Sequence, residues 1–153
     1  MSEREHFLAD PAATEALGRA LAATAPAGAV VFLEGPLGAG KSSLARAWLR
    51  ALGVQGAIKS PTYTLVERYA LPDGGEAAHL DLYRLADAAE LDFLGLDELA
   101  DARLWLVEWP ERGALGLPPS DLRISLALAG TGRVARLQAT SARGEAWLGK
   151  TPG

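Results

Sequence analysis

The stretch that most restricts how this chain can fold is AVVFLEGPLGAGKSSLARAWL, residues 29–49. A short β-branched and apolar run, Ala29 to Glu34, passes directly into glycine, four residues, glycine, lysine and serine. A helical pattern follows, with Leu44, Ala47, Trp48 and Leu52 on one face and Gly53 as the stop. Strand, glycine-rich loop and helix in that order make a phosphate cradle. Gly35, Gly38 and Gly40 can take backbone conformations closed to other residues, so successive N–H groups turn inward as an anion nest. The helix start near Lys41 adds its positive end. In such a loop the Lys41 ammonium reaches the β- and γ-phosphates, and the Ser42 hydroxyl takes one position on Mg²⁺. The expected ligand is a nucleoside triphosphate. The Asn-Lys-x-Asp pattern by which many GTPases read guanine is absent, which favours ATP. Pro36 removes one N–H at the loop entrance, but the donors are expected from residues 38–43, so little is lost.

At 153 residues the chain is expected to be a single P-loop ATPase domain over 1–153, and its 49% hydrophobic, 22% charged composition is that of a folded protein. No apolar run approaches the roughly 20 residues that span a bilayer. The opening MSEREHFLAD has acids where a secretion signal has a basic and then an apolar region, so a cytoplasmic location is expected. With no cysteine, thiolate metal sites, disulfides and thiol catalysis are excluded. A net charge of −4 argues against gripping nucleic acid unaided. The chain has twelve arginines and only three lysines, Lys41, Lys59 and Lys150, so lysine is not its default cation.

Elsewhere, Asp10-Pro11 reads as a helix cap and first helical position, with Leu17, Ala20, Leu21 and Thr24 at helical spacing before Pro26. Residues 54–62 read as a loop. Tyr63–Ala70 and Glu76–Tyr83 read as a hairpin around Pro72-Asp73-Gly74-Gly75. Ala86–Ala100 carries two short helical pieces broken near Gly95, and Arg103–Glu108 is a buried strand. Leu122–Ala129 and Val134–Thr140 form a second hairpin, and a short helix over 142–148 closes the chain. The strand–loop–helix unit predicts an α/β, P-loop NTPase-like, three-layer fold. The two hairpins make its sheet mixed parallel and antiparallel.

A P-loop enzyme needs an acid at the end of a neighbouring strand to hold Mg²⁺, directly or through water. Glu108, ending RLWLVE, and Asp81, within AAHLDLYR, compete for that place, and both can belong to one site. The competing reading is an acid facing solvent or paired with Arg84 or Arg103. Ser60, Thr62 and Thr64 in KSPTYTL lie where P-loop switches often sense the γ-phosphate; turn chemistry and strand propensity would also account for them. His6 and His79 have no companions at metal-ligand spacing. Trp48, Trp105 and Trp147 read as core, whereas Trp109 can be core or can cover the nucleotide.

GPLGAGKSSLARAWL, KSPTYTLVERY, HLDLYRL, ELDFLGLDE and LVEWPERG occur in this order at tight spacing. Together they resemble the bacterial TsaE (YjeE) family, the ATPase component of tRNA threonylcarbamoyladenosine synthesis, from about residue 10 to residue 140. The resemblance implies a P-loop ATPase working with two partners, the catalytic threonylcarbamoyl-transferase subunit and its inactive paralogue. The modified base is the adenosine adjacent to the anticodon in tRNAs reading codons that begin with A, and tRNA is met through the complex. ATP hydrolysis then supports repeated turnover of the assembly. Carried over by position, Leu37, Gly38, Ala39, Gly40, Lys41 and Ser42, with Ser43, bind the phosphates, and Ser42 and Glu108 hold Mg²⁺. Lys41, Asp81 and Glu108 are the catalytic candidates, Thr62 and Thr64 belong to a switch-like loop with Ser60, and Pro11 and Arg133 contact the nucleotide. Pro36 stands where the family has aspartate, and Ser42 where it has threonine. Two of the three lysines, Lys41 and Lys59, fall within these motifs. The alternative class is a small-molecule kinase on the same loop, which needs an arginine-bearing lid that is not visible here. A nucleotide-gated binding module that hardly hydrolyses is a third.

Overall fold

The computed structural model describes residues 2–113 and 116–151. Its elements are β1 (Glu3–Leu8), α1 (Pro11–Thr24), β2 (Ala29–Glu34), α2 (Lys41–Ala51), β3 (Val66–Ala70), β4 (Glu76–Asp81), β5 (Leu104–Glu108), β6 (Leu122–Ala129), β7 (Gly132–Ala139) and α3 (Ala142–Lys150). The strands form one seven-stranded sheet in the order β1-β7-β6-β2-β5-β4-β3. Its centre is parallel, with β2 between β5 and β6 and β4 beyond β5. Both flanks are antiparallel hairpins, β3–β4 on one side and β6–β7 on the other.

The continuous apolar run of β2 follows from burial on both faces. Val31 and Leu33 face a cluster built with Leu21 of α1, Leu44, Trp48 and Leu49 of α2 and Trp147 of α3. Val30 and Phe32 face the opposite cluster, with Trp105, Val107, Leu80, Leu91 and Leu99. The third layer on that side consists of short 3-10 helices, Ala88–Phe93 and Leu96–Leu99, separated by Gly95 at φ 72°. Trp48 and Trp147, both fully buried, meet edge to face with ring centres 5.8 Å apart. Truncating a residue such as Leu33 to alanine in this packing costs about 2–5 kcal/mol. Asp10 caps α1 by accepting from the Ala13 N–H at 2.9 Å, and Pro11 occupies the first turn. No helix among the described residues is long and apolar enough to cross a membrane.

Strand β1 and the bounds of β3 and β4 depart from the sequence expectation. Strand β1, EREHFL, was not expected, because its charged residues carry no apolar signal. It lies at the sheet edge and pairs antiparallel with β7, from Glu3 opposite Gln138 to Leu8 opposite Arg133. An edge strand needs only one satisfied side, and charge on it discourages further pairing. Strand β3 begins at Val66 rather than Tyr63: the Leu65 N–H donates to the Pro61 carbonyl at 2.8 Å, and Leu65 sits at φ 68°, so the chain turns there. Strand β4 ends at Asp81, where the Tyr83 N–H is captured by the Asp81 side chain at 3.0 Å.

Candidate functional site

The carboxyl ends of parallel strands are where open α/β sheets place ligands. Here the ends of β2, β5 and β4 bring together the glycine-rich loop, Glu108 and Asp81. Gly35, Gly38 and Gly40 have φ of 138°, 79° and 107°, a region that favours glycine. A Cβ at Gly35 would also collide with the Leu126 carbonyl of β6, so position 35 is closed to any side chain. Helix α2 begins directly at Lys41, with Gly40 at its cap. The loop is internally braced: the Ala39 N–H donates to the Pro36 carbonyl at 3.2 Å. The Lys41 ammonium donates to the Gly35 carbonyl and, at 3.1 Å, to that of Pro36. It also lies 4.3 Å from the centre of the Trp109 ring. Burial pulls the Lys41 pKa below its ordinary value, against the opposing charges of Glu108, Asp81 and Glu111.

Asp81 and Glu108 are direct neighbours across the parallel β4–β5 ladder. Both are buried. The Ser42 hydroxyl donates to the Glu108 carboxylate, 3.2 Å from Oε1 and 3.3 Å from Oε2. From the other side His79 Nε2 lies 2.6 Å from Oε2. Burial pushes the Asp81 carboxyl above its ordinary pKa; the Tyr83 N–H pulls it back, and the Glu108 charge adds to the rise. Among the described residues neither acid is paired with an arginine. Arg103 instead bonds Asp73 at 2.9 Å, and Arg84 stacks 4.7 Å from the centre of the Tyr63 ring. The solvent-facing and ion-pair readings of these acids therefore fail. A serine hydroxyl and a carboxylate in mutual contact beside a phosphate loop are hard oxygen donors of the kind Mg²⁺ takes, so the residues fit that ion.

Lys41, Ser42, Asp81 and Glu108 line a cleft of about 420 Å³ that also contains Leu37, Gly38, Gly40, Ser43, Thr62 and Arg133. Tyr83, Arg84 and Trp109 complete its wall. Of the switch-like residues only Thr62 lines it; Ser60 and Thr62 share a hydrogen bond of 2.6 Å, and Thr64 lies outside. The Ala39 side chain belongs to the core. Pro11 does not reach this cleft. It lines a second one of about 770 Å³ between α1 and α2, which shares Gly40, Ser43 and Arg133 with the first. Arg133 thus stands at the junction, with its guanidinium 3.4 Å from the Gly38 carbonyl. Trp109 packs against the core and also borders the cleft. At the level of sequence Tyr83 has no role, Arg84 is weighed only as an ion-pair partner and His79 is set aside as a metal ligand. For His79 a signal existed: it stands two residues before Asp81, hence on the same face of the strand.

A family model described as threonylcarbamoyl adenosine biosynthesis protein TsaE matches residues 8–136. The tRNA threonylcarbamoyladenosine biosynthesis protein TsaE of Haemophilus influenzae is 47% identical over 98 residues, covering 63% of this chain and 61% of that protein. The protein of the same name from Streptomyces coelicolor is 37% identical over 135 residues, 86% of this chain and 91% of the relative. Among solved structures, Bacillus subtilis YdiB superposes with a TM-score of 0.81 at 29% identity, over 97% of this chain and 93% of that one. A model match across most of the chain, relatives of this identity and a shared mixed-sheet fold lead to one conclusion: the chain belongs to the TsaE family.

Proposed function

We propose that this protein is a Mg²⁺-dependent ATPase subunit acting in threonylcarbamoylation of the adenosine adjacent to the anticodon of tRNAs that read codons beginning with A. It works in the cytoplasm with the catalytic threonylcarbamoyl-transferase subunit and that subunit's inactive paralogue, and it meets tRNA through them. ATP hydrolysis resets the assembly for repeated turnover. The observation that carries this reading is the convergence of Lys41, Ser42, Asp81 and Glu108 on one cleft at the mouth of the phosphate loop.

In the proposed reaction a water oxygen bonds to the γ-phosphorus as the bond to the β–γ bridging oxygen breaks, giving ADP and phosphate. The loop N–H groups and the α2 N-terminus hold the phosphates. Lys41 exchanges its loop carbonyl partners for phosphate oxygens, which keeps a buried ammonium paired throughout. Ser42 and Glu108 would hold Mg²⁺, which would supply positive charge against the phosphates. Asp81 has one carboxylate oxygen engaged by the Tyr83 N–H, leaving the other to accept a hydrogen bond from the attacking water. The larger cleft beside Arg133 and Pro11 has the size and position to take the nucleoside end of ATP.

The test is a multiple-turnover assay on unmodified tRNA with the two partners and ATP. Slow ATP hydrolysis alone, a marked rise with the partners, and loss of multiple turnover without this subunit are expected. Normal multiple turnover in its absence overturns the proposal. Transfer of labelled γ-phosphate to a metabolite in preference to water would identify a kinase instead.

A further inference from the structure

His79 is a buried titratable side chain that the mechanism above does not use. It stands on β4 opposite Leu106 of β5, on the face occupied by Ala77, Leu104 and Leu106 in the core beneath α2. Its side chain is 3% exposed, as is that of Glu108. Nδ1 is buried without a hydrogen-bond partner, so Nε2 carries the ring's one polar tie, to Glu108 Oε2 at 2.6 Å. A leucine or methionine would pack in this place without desolvating an imidazole. The polar cost is offset by one bond, and that bond is to the carboxylate assigned to Mg²⁺. Ser42 reaches the same carboxylate at 3.2 Å from the cleft side, and His79 reaches it from the dry side.

We infer that His79 is a positioning residue for the metal site: by donating Nε2–H to Oε2 it fixes the Glu108 carboxylate and presents Oε1 to the Mg²⁺ of a bound nucleoside triphosphate. Ligating carboxylates are commonly held by such outer partners, whose loss weakens metal affinity by about 10- to 100-fold. This inference rests on the reading of Glu108 as a metal ligand.

The experiment measures binding of a non-hydrolysable ATP analogue to the full chain by calorimetry, with EDTA and again with excess Mn²⁺. The ratio of the two affinities is the coupling between metal and nucleotide. His79→Leu should lower that ratio by about 10- to 100-fold, with affinity in EDTA within about twofold of wild type. His79→Gln places a donor where Nε2 stands and should restore the ratio to within about threefold. His79→Asn is one bond too short, should behave like leucine, and serves in its place if that variant does not fold. An unchanged ratio in the leucine or asparagine variant overturns the inference, as does a glutamine variant no better than leucine, which would mark His79 as a packing residue. Glu108→Gln separates the two levels. If it too leaves the ratio unchanged, the metal role of Glu108 fails and the His79 inference falls with it. If it lowers the ratio while His79→Leu does not, only the His79 inference falls.

Discussion

Two carboxylates, Asp81 and Asp121, are almost equally hidden from solvent, at 7% and 6% exposure, yet the protein treats them in opposite ways. Asp121 stands just before β6 and is saturated with donors. It accepts from the Val30 N–H at 3.0 Å, the Ser141 hydroxyl at 2.7 Å and the Arg143 guanidinium at 2.8 Å. Burial alone would raise its pKa, but these donors outweigh burial and hold it below the ordinary carboxylate range. The result is a clasp joining β2, β6 and the start of α3. Asp81 has one backbone donor, a second carboxylate beside it, and a pKa raised chiefly by burial. Burial does not separate these two carboxylates; the number of donors each receives does. The unsatisfied one borders the cleft.

The largest expected effect falls on chemistry at one site and on stability at the other. Lys41→Ala should cut partner-stimulated phosphate release by about 10²- to 10³-fold, with the variant still folded by circular dichroism. Asp121→Ala should do the reverse. It strands the Val30 N–H and the half-exposed Arg143, costing about 2–3 kcal/mol in denaturant unfolding while turnover per folded molecule stays near wild type. A turnover loss at Asp121 as large as that at Lys41 would break the comparison.

The next effect is a difference in sign with pH. A raised folded pKa means that folded protein holds the Asp81 proton more tightly than unfolded chain does. Its contribution is therefore favourable in acid and is lost as pH rises from the ordinary carboxylate value through the folded one. Asp81→Asn should raise the melting temperature at pH 7, and the gain should fade as pH falls from the folded value to the ordinary one, to be gone by about pH 3, where the unfolded carboxyl is protonated as well. Asp121 has a lowered folded pKa, so its contribution is present above the ordinary value and is lost as pH falls through the folded one. Asp121→Asn should lower the melting temperature at pH 7 and lose part of that effect in acid. Melting curves of both variants from pH 3 to pH 7 check the two signs; equal signs would remove the distinction. The smallest effect is at the loop entrance. Pro36 contributes its carbonyl, to the Ala39 N–H and Lys41, and any residue supplies that. Pro36→Asp should leave ATP affinity within about threefold, or roughly 0.7 kcal/mol, by calorimetry.

The elements legible in advance were those whose signal is local. The phosphate loop declares itself through glycine spacing, and α1 through Asp10 and Pro11. The two hairpins show in their turn residues. Strand β1 was illegible because its pairing is supplied by β7, more than a hundred residues away, and not by an apolar pattern of its own. Leu65 ended the run from Tyr63 early because a backbone turn to Pro61, not propensity, sets the start of β3. Ser42, Asp81 and Glu108 could be nominated as residue types at strand and helix ends, but the contact of Ser42 with Glu108 and the register that sets Asp81 beside Glu108 could not. Asp121 attracted no notice, and His79 was weighed only as a metal ligand and set aside, since a lone acid before a strand and a lone histidine within one are usually unremarkable.

The sequence by itself determined that a phosphate cradle opens a helix after a buried strand, which family of motifs surrounds it, and that the sheet is mixed. Those depend on backbone conformations that glycine and proline impose locally, whatever lies elsewhere in the chain. Only the tertiary structure decided which acids are saturated and which are left wanting. It also decided that Pro11 belongs to a neighbouring cleft and that His79 reaches Glu108 from within the core beneath α2. Strand register sets those distances, and register is a property of two segments at once, so neither segment carries it alone.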